Sequence, residues 1–408
     1  MSTNDPSLNL IFKRWRENAK GYGVADLFSR ATGAQGMTPT GLLQSVAAGV
    51  ARHSYDPVTL AYQGFLPEAA STQLALDTED FGGGAWSSSN TSLTANSLAA
   101  PNGTVTADTI TDTASGAYGY RAQSFTVAND SLAHTASTFF HAGTSTKPGI
   151  TLLLSGGSSI YVDAAFDLAT GTASISGPGT GVARMQYWGA GWWRCLARLL
   201  NNSTGNTTLQ ARVLPAVNAA ADVTSVYAWG FNLTKSSTLF SYMPATSGTV
   251  TRNADTLTTA LTTANFNPLE GTMLFEGLVP ETSGVRVPFL LGSNSSSTNY
   301  IALYVNGSSA GADVSAGGPS IFNPTLATGL VEGAPICLAL AYKAGDFAAI
   351  ARGGTLLTQA SGALPSPSVF NTAYHGSSLA GQHYGAPMLR NQYWPVRFSD
   401  ADLARLVL

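Results

Sequence analysis

Charge is what this 408-residue chain has least of. Asp, Glu, Lys and Arg make up only 11% of it, against roughly a quarter in an ordinary globular protein. With 20 basic and 23 acidic residues the net charge is -3, so nothing draws the chain toward nucleic acid or an anionic membrane. Cysteine is nearly missing as well. Cys195 and Cys337 lie far apart in apolar runs (WWRCLARLL and APICLALAY), which speaks against a disulfide framework and for two buried free thiols. No stretch reaches the roughly 18 apolar residues of a membrane-spanning helix, and no apolar signal core follows Lys13, Arg14 and Arg16. Heptads and fixed-period repeats are absent. The five histidines (His53, His134, His141, His375, His383) show neither H-x-H nor H-E-x-x-H spacing, so no transition-metal site is expected. No strand-to-helix nucleophile elbow is read either.

What remains is hydrophobic content of 44%, 43 glycines, and a polar surface made of Ser, Thr and Asn. That is enough to fill real cores, and the length suits two or three domains. Short Val/Ile/Tyr/Trp-rich runs punctuated by turn residues recur over 81–235 (SFTV, GITLLLS, SIYVDAAFDLAT, TTLQARVLPAV) and restart over 256–408 (GTMLFEGLVP, NYIALYVN, APICLALAYKAG). The expectation is an all-β protein of two tandem antiparallel β-sandwiches, or jelly rolls. Residues 227–255 form the seam between them. The anticipated division is 1–25, 26–73, 74–250 and 251–408.

Before the first sandwich, Asp5-Pro6-Ser7 reads as a helix start, and Leu8, Ile11, Phe12 and Trp15 recur at helical spacing. The spacing predicts a short N-terminal helix whose apolar stripe docks on another protein, on a second copy, or on the first sandwich. Residues 26–73 read as an extended, irregular arm. At the far end, Ser399 caps a short helix with Asp400 and Asp402 in its first turn and Leu403 and Leu406 inward.

Several ordered motifs carry a resemblance. They are Phe28-Ser29-Arg30-Ala31-Thr32, Ala51-Arg52-His53-Ser54-Tyr55-Asp56-Pro57, Leu66-Pro67-Glu68-Ala69, Glu79-Asp80-Phe81 and Trp86. Further along come Gly191-Trp192-Trp193-Arg194-Cys195, Ala228-Trp229-Gly230, Phe240-Ser241-Tyr242-Met243-Pro244 and Thr251-Arg252-Asn253-Ala254-Asp255. Over roughly 26–408 the chain resembles phage and prophage virion fibre or spike proteins. In these a carbohydrate-binding-like jelly roll precedes a concanavalin A-like (laminin-G-like) sandwich. The resemblance implies virion location and sandwich folds, with no defined ligand. The reading built on it is a structural virion protein, a tail fibre or receptor-binding appendage adhering without catalysis to host surface polysaccharide, with a head (capsid) fibre, spike or decoration protein, or a polysaccharide-degrading tailspike, as the alternatives. Such appendages are commonly trimers, so homo-oligomers are expected, and the N-terminal stripe of Leu8, Ile11, Phe12 and Trp15, outside the resemblance, is the expected docking surface for other virion proteins. A virion component released by lysis would also need no secretory signal.

Sugars stack on aromatic planes and take hydrogen bonds from amide, carboxylate and guanidinium groups. Two loop clusters fit: Tyr118, Tyr120 and Arg121 in SGAYGYRAQ, and His383 with Tyr384 in SSLAGQHYGAP. Trp86, Trp192, Trp193 and Trp229 read instead as packing residues. A polysaccharide-degrading tailspike would need two carboxylates about 5–10 Å apart, and the candidates are Glu79/Asp80 and Glu270/Glu276. Asp108 and Asp112 are the loop carboxylates available to calcium, without any EF-type loop.

Overall fold

The structure is a computed structural model that describes residues 5–12, 26–217, 223–281, 284–295 and 297–408. It is all-β, with antiparallel pairing throughout the described strands. The first sandwich consists of two six-stranded sheets. One runs in the order Gly181–Gly189, Trp192–Leu200, Ala133–Ala142, Ser225–Thr234, Val105–Asp112, Thr91–Ala99. The other runs Thr172–Ser176, Ile160–Asp167, Gly149–Ser155, Thr208–Leu214, Tyr120–Thr126, Ser87–Ser89. Period-two alternation explains the packing. In the second sheet Ile150, Leu152 and Leu154 point inward with Val162, Ala164 and Phe166 and with Leu209, Ala211 and Val213, all fully buried.

The two faces turned away from this core differ. The outer face of the first sheet is covered: Phe139, Trp192 and Trp229 pack there against Leu43 and Tyr242, with the Trp229 and Tyr242 ring centroids 4.9 Å apart. The outer face of the second sheet has no such cover among the described residues.

The second sandwich repeats this asymmetry with two eight-stranded sheets. In one, strands Pro335–Lys343, Glu270–Leu278 and Met388–Trp394 are central, and the helix Asp400–Leu406 covers the outer face by burying Leu403 and Val407 against Leu274, Cys337, Ala348 and Trp394. Ser399 caps that helix by accepting from the Asp402 amide, as its sequence signature indicates. In the other, Thr256–Ala260, Thr372–His375, Val285–Gly292, Tyr300–Asn306 and Ser309–Ser315 are successive neighbours, and their outer face carries a small buried cluster of Val287, Leu290, Ala302 and Tyr374 with no helix over it among the described residues.

The predicted N-terminal helix does not begin where its periodicity placed it. Leu8–Ile11 is a strand, antiparallel to Arg390–Tyr393, and Leu8 and Phe12 are buried in the second sandwich's core. An unfilled strand edge supplies four residues' worth of backbone partners, which a marginal isolated helix cannot match. Leu8 and Phe12 are therefore core residues and not a docking stripe. Ile11 is half-buried on the same strand, and Trp15 lies outside the described residues.

The arm is also more regular than expected. Asp26–Ser29 extends one sheet of the second sandwich through Thr256–Ala260, while His53–Tyr55 and Tyr62–Phe65 extend the other past Met388–Trp394. The approach at Gly64 demands glycine: φ is +131°, and a Cβ would sit 2.1 Å from the Met388 carbonyl oxygen. Strands from before and after the first sandwich thus complete the second.

Where arm, seam and second sandwich meet lies a buried ionic cluster. Arg52 bonds Glu68 at 2.6 Å and also bonds Asp255; Arg252 bonds Glu68 at 2.6 Å; Arg30 bonds Asp255 at 2.8 Å. Glu68 accepts from the Ser241 amide at 2.9 Å, and the Glu68 amide donates to Asp255 at 3.0 Å. Burial pushes the Glu68 carboxyl upward, but Arg252 and Arg52 outweigh it and hold the pKa at about 2. Five motif residues far apart in sequence form one joint.

Candidate functional site

On the open sheet of the first sandwich, register sets the outward side chains in rows. Asp163, Thr151 and Arg212 stand side by side on three adjacent strands, with Tyr161, Leu153 and Gln210 in the next row. Tyr120 follows on the neighbouring strand, two residues before Ala122, which pairs with Arg212. Apart from Gln210, these residues line, together with Tyr118, Leu214 and Val217, a depression of about 350 Å³, within the roughly 300–1,000 Å³ usual for small-molecule sites.

The polar groups are tied down. The Arg212 guanidinium lies 4.4 Å from the Tyr120 ring centroid, and its Nε donates to Gln210 Oε1 at 2.6 Å. Thr151 Oγ1 donates to Asp163 Oδ1 at 2.5 Å. Arg212 lines the depression and makes no ion pair among the described residues. Tyr161 is 39% exposed and Tyr118 45% exposed, so both present surface at the depression. Stacking surfaces, a fixed guanidinium and a fixed carboxylate converge on a wall that has no second acid. The arrangement can hold a ligand, and Asp163 is the one carboxylate on it, where two-carboxylate glycoside hydrolysis needs a pair.

Of the residues expected from sequence, Tyr118 and Tyr120 fall in this depression. Arg121 does not: it pairs with inward-facing Val213, and burial lowers its pKa against the opposing pull of Asp108. Tyr384 is a correction. Its ring is fully buried against Phe275 and its hydroxyl donates to the Leu278 carbonyl at 2.8 Å, so it belongs to the core of the second sandwich. Neighbouring His383 is half-buried, with Nδ1 3.0 Å from the Gly381 carbonyl oxygen, and lines no cavity described here. Trp86, Trp192 and Trp229 are packed as expected, and Trp193 is half-buried against Tyr187.

Tyr161, Asp163, Gln210 and Arg212 were missed. The alternation of IYVDAAFD and TLQARVL marks them as outward-facing. The register that brings the two strings together across Gly149–Ser155 is not written in either.

The carboxylate pairs do not assemble a hydrolytic site. Glu270 and Glu276 share a strand six residues apart, about 20 Å at the rise of an extended chain. Glu276 is further committed to Arg352 and Arg390 at 2.8 and 2.7 Å. Glu79 accepts from the Tyr242 hydroxyl at 3.0 Å, and Asp80 Oδ1 from the Gly82 amide at 2.8 Å. Asp108 accepts from the Phe81 and Asn96 amides, and Asp112 from those of Ala114 and Gly119. No group of three potential metal ligands occurs among the described residues. The string Gly307-Ser308-Ser309-Ala310-Gly311 does spell G-x-S-x-G, but it is the hairpin between Tyr300–Asn306 and Ser309–Ser315, with no helix to form an elbow. Cys195 and Cys337 are free and buried, and burial raises the Cys337 thiol to about 11.

No family model and no curated protein matches the chain. Among solved structures, the Ruminococcus gnavus IT-sialidase CBM40 bound to α2,3-sialyllactose overlaps 35% of this chain and 84% of its own at 13% identity, with a TM-score of 0.30. The LG4-5 domains of the mouse laminin α1 chain overlap 70% of this chain and 90% of theirs at 11% identity, TM-score 0.23. The GH43 protein BlXynB (K247S) of Bacillus licheniformis overlaps 87% and 76% at 11% identity, TM-score 0.23. All three overlaps are weak in TM-score, and no residue role is drawn from them.

Proposed function

We propose that the chain is a glycan-binding structural protein that adheres without catalysis through the open face of its first sandwich. One observation carries this reading: a depression in which exposed Tyr161 and Tyr118 flank a ring-stacked Arg212, which has no ion-pair partner among the described residues, and a fixed Asp163. Such rings cover the apolar faces of a pyranose, while guanidinium and carboxylate take its hydroxyls or an acidic substituent. The glycan arm of the test is a host-polysaccharide and glycan-array measurement on the full chain. Tyr161→Ala and Arg212→Ala should each weaken binding at least about tenfold with an unchanged melting temperature. Absence of binding by the unaltered protein, or binding indifferent to both substitutions, would sink the proposal.

The setting we propose is the outside of a virion, as a tail fibre or receptor-binding appendage, with a head fibre or decoration protein as the second reading. What supports it is the resemblance of the ordered motifs, five of whose residues meet in the buried cluster. Homo-oligomers, trimers by preference, are part of the same proposal. Sedimentation of the purified chain and a low-resolution image of the assembled particle test it.

A further inference from the structure

The open face of the second sandwich holds a separate depression of about 410 Å³ that shares no residue with the first. Tyr300, Ala302 and Tyr304 form its floor. Across one edge Ala302 faces Asp313 and Tyr304 faces Gly311; across the other Ala302 faces Leu290. A Cβ on Gly311 would lie 2.6 Å from the Tyr304 hydroxyl, so glycine there lets the ring lie flat across the next strand. Both tyrosines are pinned at the tip. Tyr300 donates to Asp313 Oδ2 at 2.8 Å and Tyr304 to Asn323 Oδ1 at 2.7 Å. Their hydroxyl protons are used, which leaves ring faces and oxygen lone pairs for a ligand. The Ser378–Ala380 loop and Gln382 make the wall.

We propose that this depression is a second glycan site, specific for neutral, hydroxyl-rich oligosaccharides. The flat, pre-positioned rings suit the apolar face of a hexose, and fixing them before binding removes an ordering cost. The wall is rich in acceptors: Asp313, Asn306, Asn323, Gln382 and the serine hydroxyls take protons from sugar hydroxyls. No Lys, Arg or His lines it among the described residues, and Asp313 supplies a negative charge. A uronic or sialic carboxylate would meet repulsion with no cation to offset it. Asp313 Oδ1 is shielded and without a donor among the described residues, an acceptor left over at the depression. The first site has a different character, with the ring-stacked Arg212 guanidinium in its lining.

The test uses the full chain, a panel of neutral gluco-, galacto- and manno-oligosaccharides, and hexuronate oligosaccharides as the acidic arm. Binding is read by saturation-transfer NMR and calorimetry. At least one neutral member should bind, and Tyr304→Ala and Ala380→Trp should each weaken it more than about tenfold while Arg212→Ala leaves it unchanged. Ala380 is an exposed loop residue, so its replacement plugs the cavity without touching a core, and it decides the matter if Tyr304→Ala misfolds. Failure of every neutral oligosaccharide at millimolar concentration, or binding that survives a folded Ala380→Trp, overturns the proposal. Binding on the acidic arm that depends on Arg212 speaks only to the first site, so the two readings fail separately.

Discussion

His375 is fully buried, stacked on Phe289, with Nδ1 accepting from Asn391 and Nε2 bonded to Thr259. Burial lowers its pKa to about 3. A histidine of depressed folded pKa binds its proton more readily when unfolded. Its contribution is therefore complete above about 6.5 and is lost as pH falls toward 3, at a slope of up to about 1.4 kcal/mol per pH unit. Denaturant titrations between pH 7 and 4 should show that slope, and His375→Gln should flatten it. Glu68 acts in a lower window: held at about 2, it stabilises above its unfolded value near 4.5 and loses that contribution below it. Glu68→Gln leaves Arg52 and Arg252 sharing Asp255 alone and should cost about 3–5 kcal/mol by chemical denaturation.

Among the elements, the C-terminal helix was legible because its cap, charges and inward leucines are local. The first strand was not: Leu8, Ile11, Phe12 and Trp15 satisfy a helical period, and only the distant edge at Arg390–Tyr393 decides otherwise. The same limit hid half of the first site, since Tyr118 and Tyr120 stand two residues apart in one short string, the second opening a strand, while Arg212 and Asp163 reach them through register. Tyr384 misled for the converse reason, since a glycine-flanked aromatic in a loop string turned out to plug the core. Leu403 is the helix's buried anchor against Leu274 and Cys337. Leu403→Ala should destabilise the protein by about 2–5 kcal/mol in thermal or urea unfolding, with glycan binding at the first sandwich unaffected. A change in that binding would mean the two sandwiches are coupled.

At the scale of the whole molecule, the all-β class and the two sandwiches follow from composition and strand spacing, while the assignment of the arm required contacts between distant segments. Residues 251–408 lack Leu8–Ile11, Asp26–Ser29, His53–Tyr55 and Tyr62–Phe65, and with them Phe12 and Phe65 of the core. Expressed alone, that fragment should show no cooperative unfolding transition, and adding residues 5–73 in trans should restore one. A sharp transition in the fragment alone would refute the shared-strand architecture. Outside the 227–255 seam, ion pairs also link the two sandwiches, Arg198 with Glu281 and Arg184 with Glu332. The pairing of Leu8 with Tyr393 has a consequence in time. A chain made from its first residue onward can close the first sandwich midway through synthesis. Its earliest strands must wait, apolar and unpaired, until the last tenth of the sequence emerges to receive them. Loop closure of that span is slow and leaves a sticky edge exposed meanwhile. For this protein, folding yield in the cell is set by how well that waiting segment is kept from other chains.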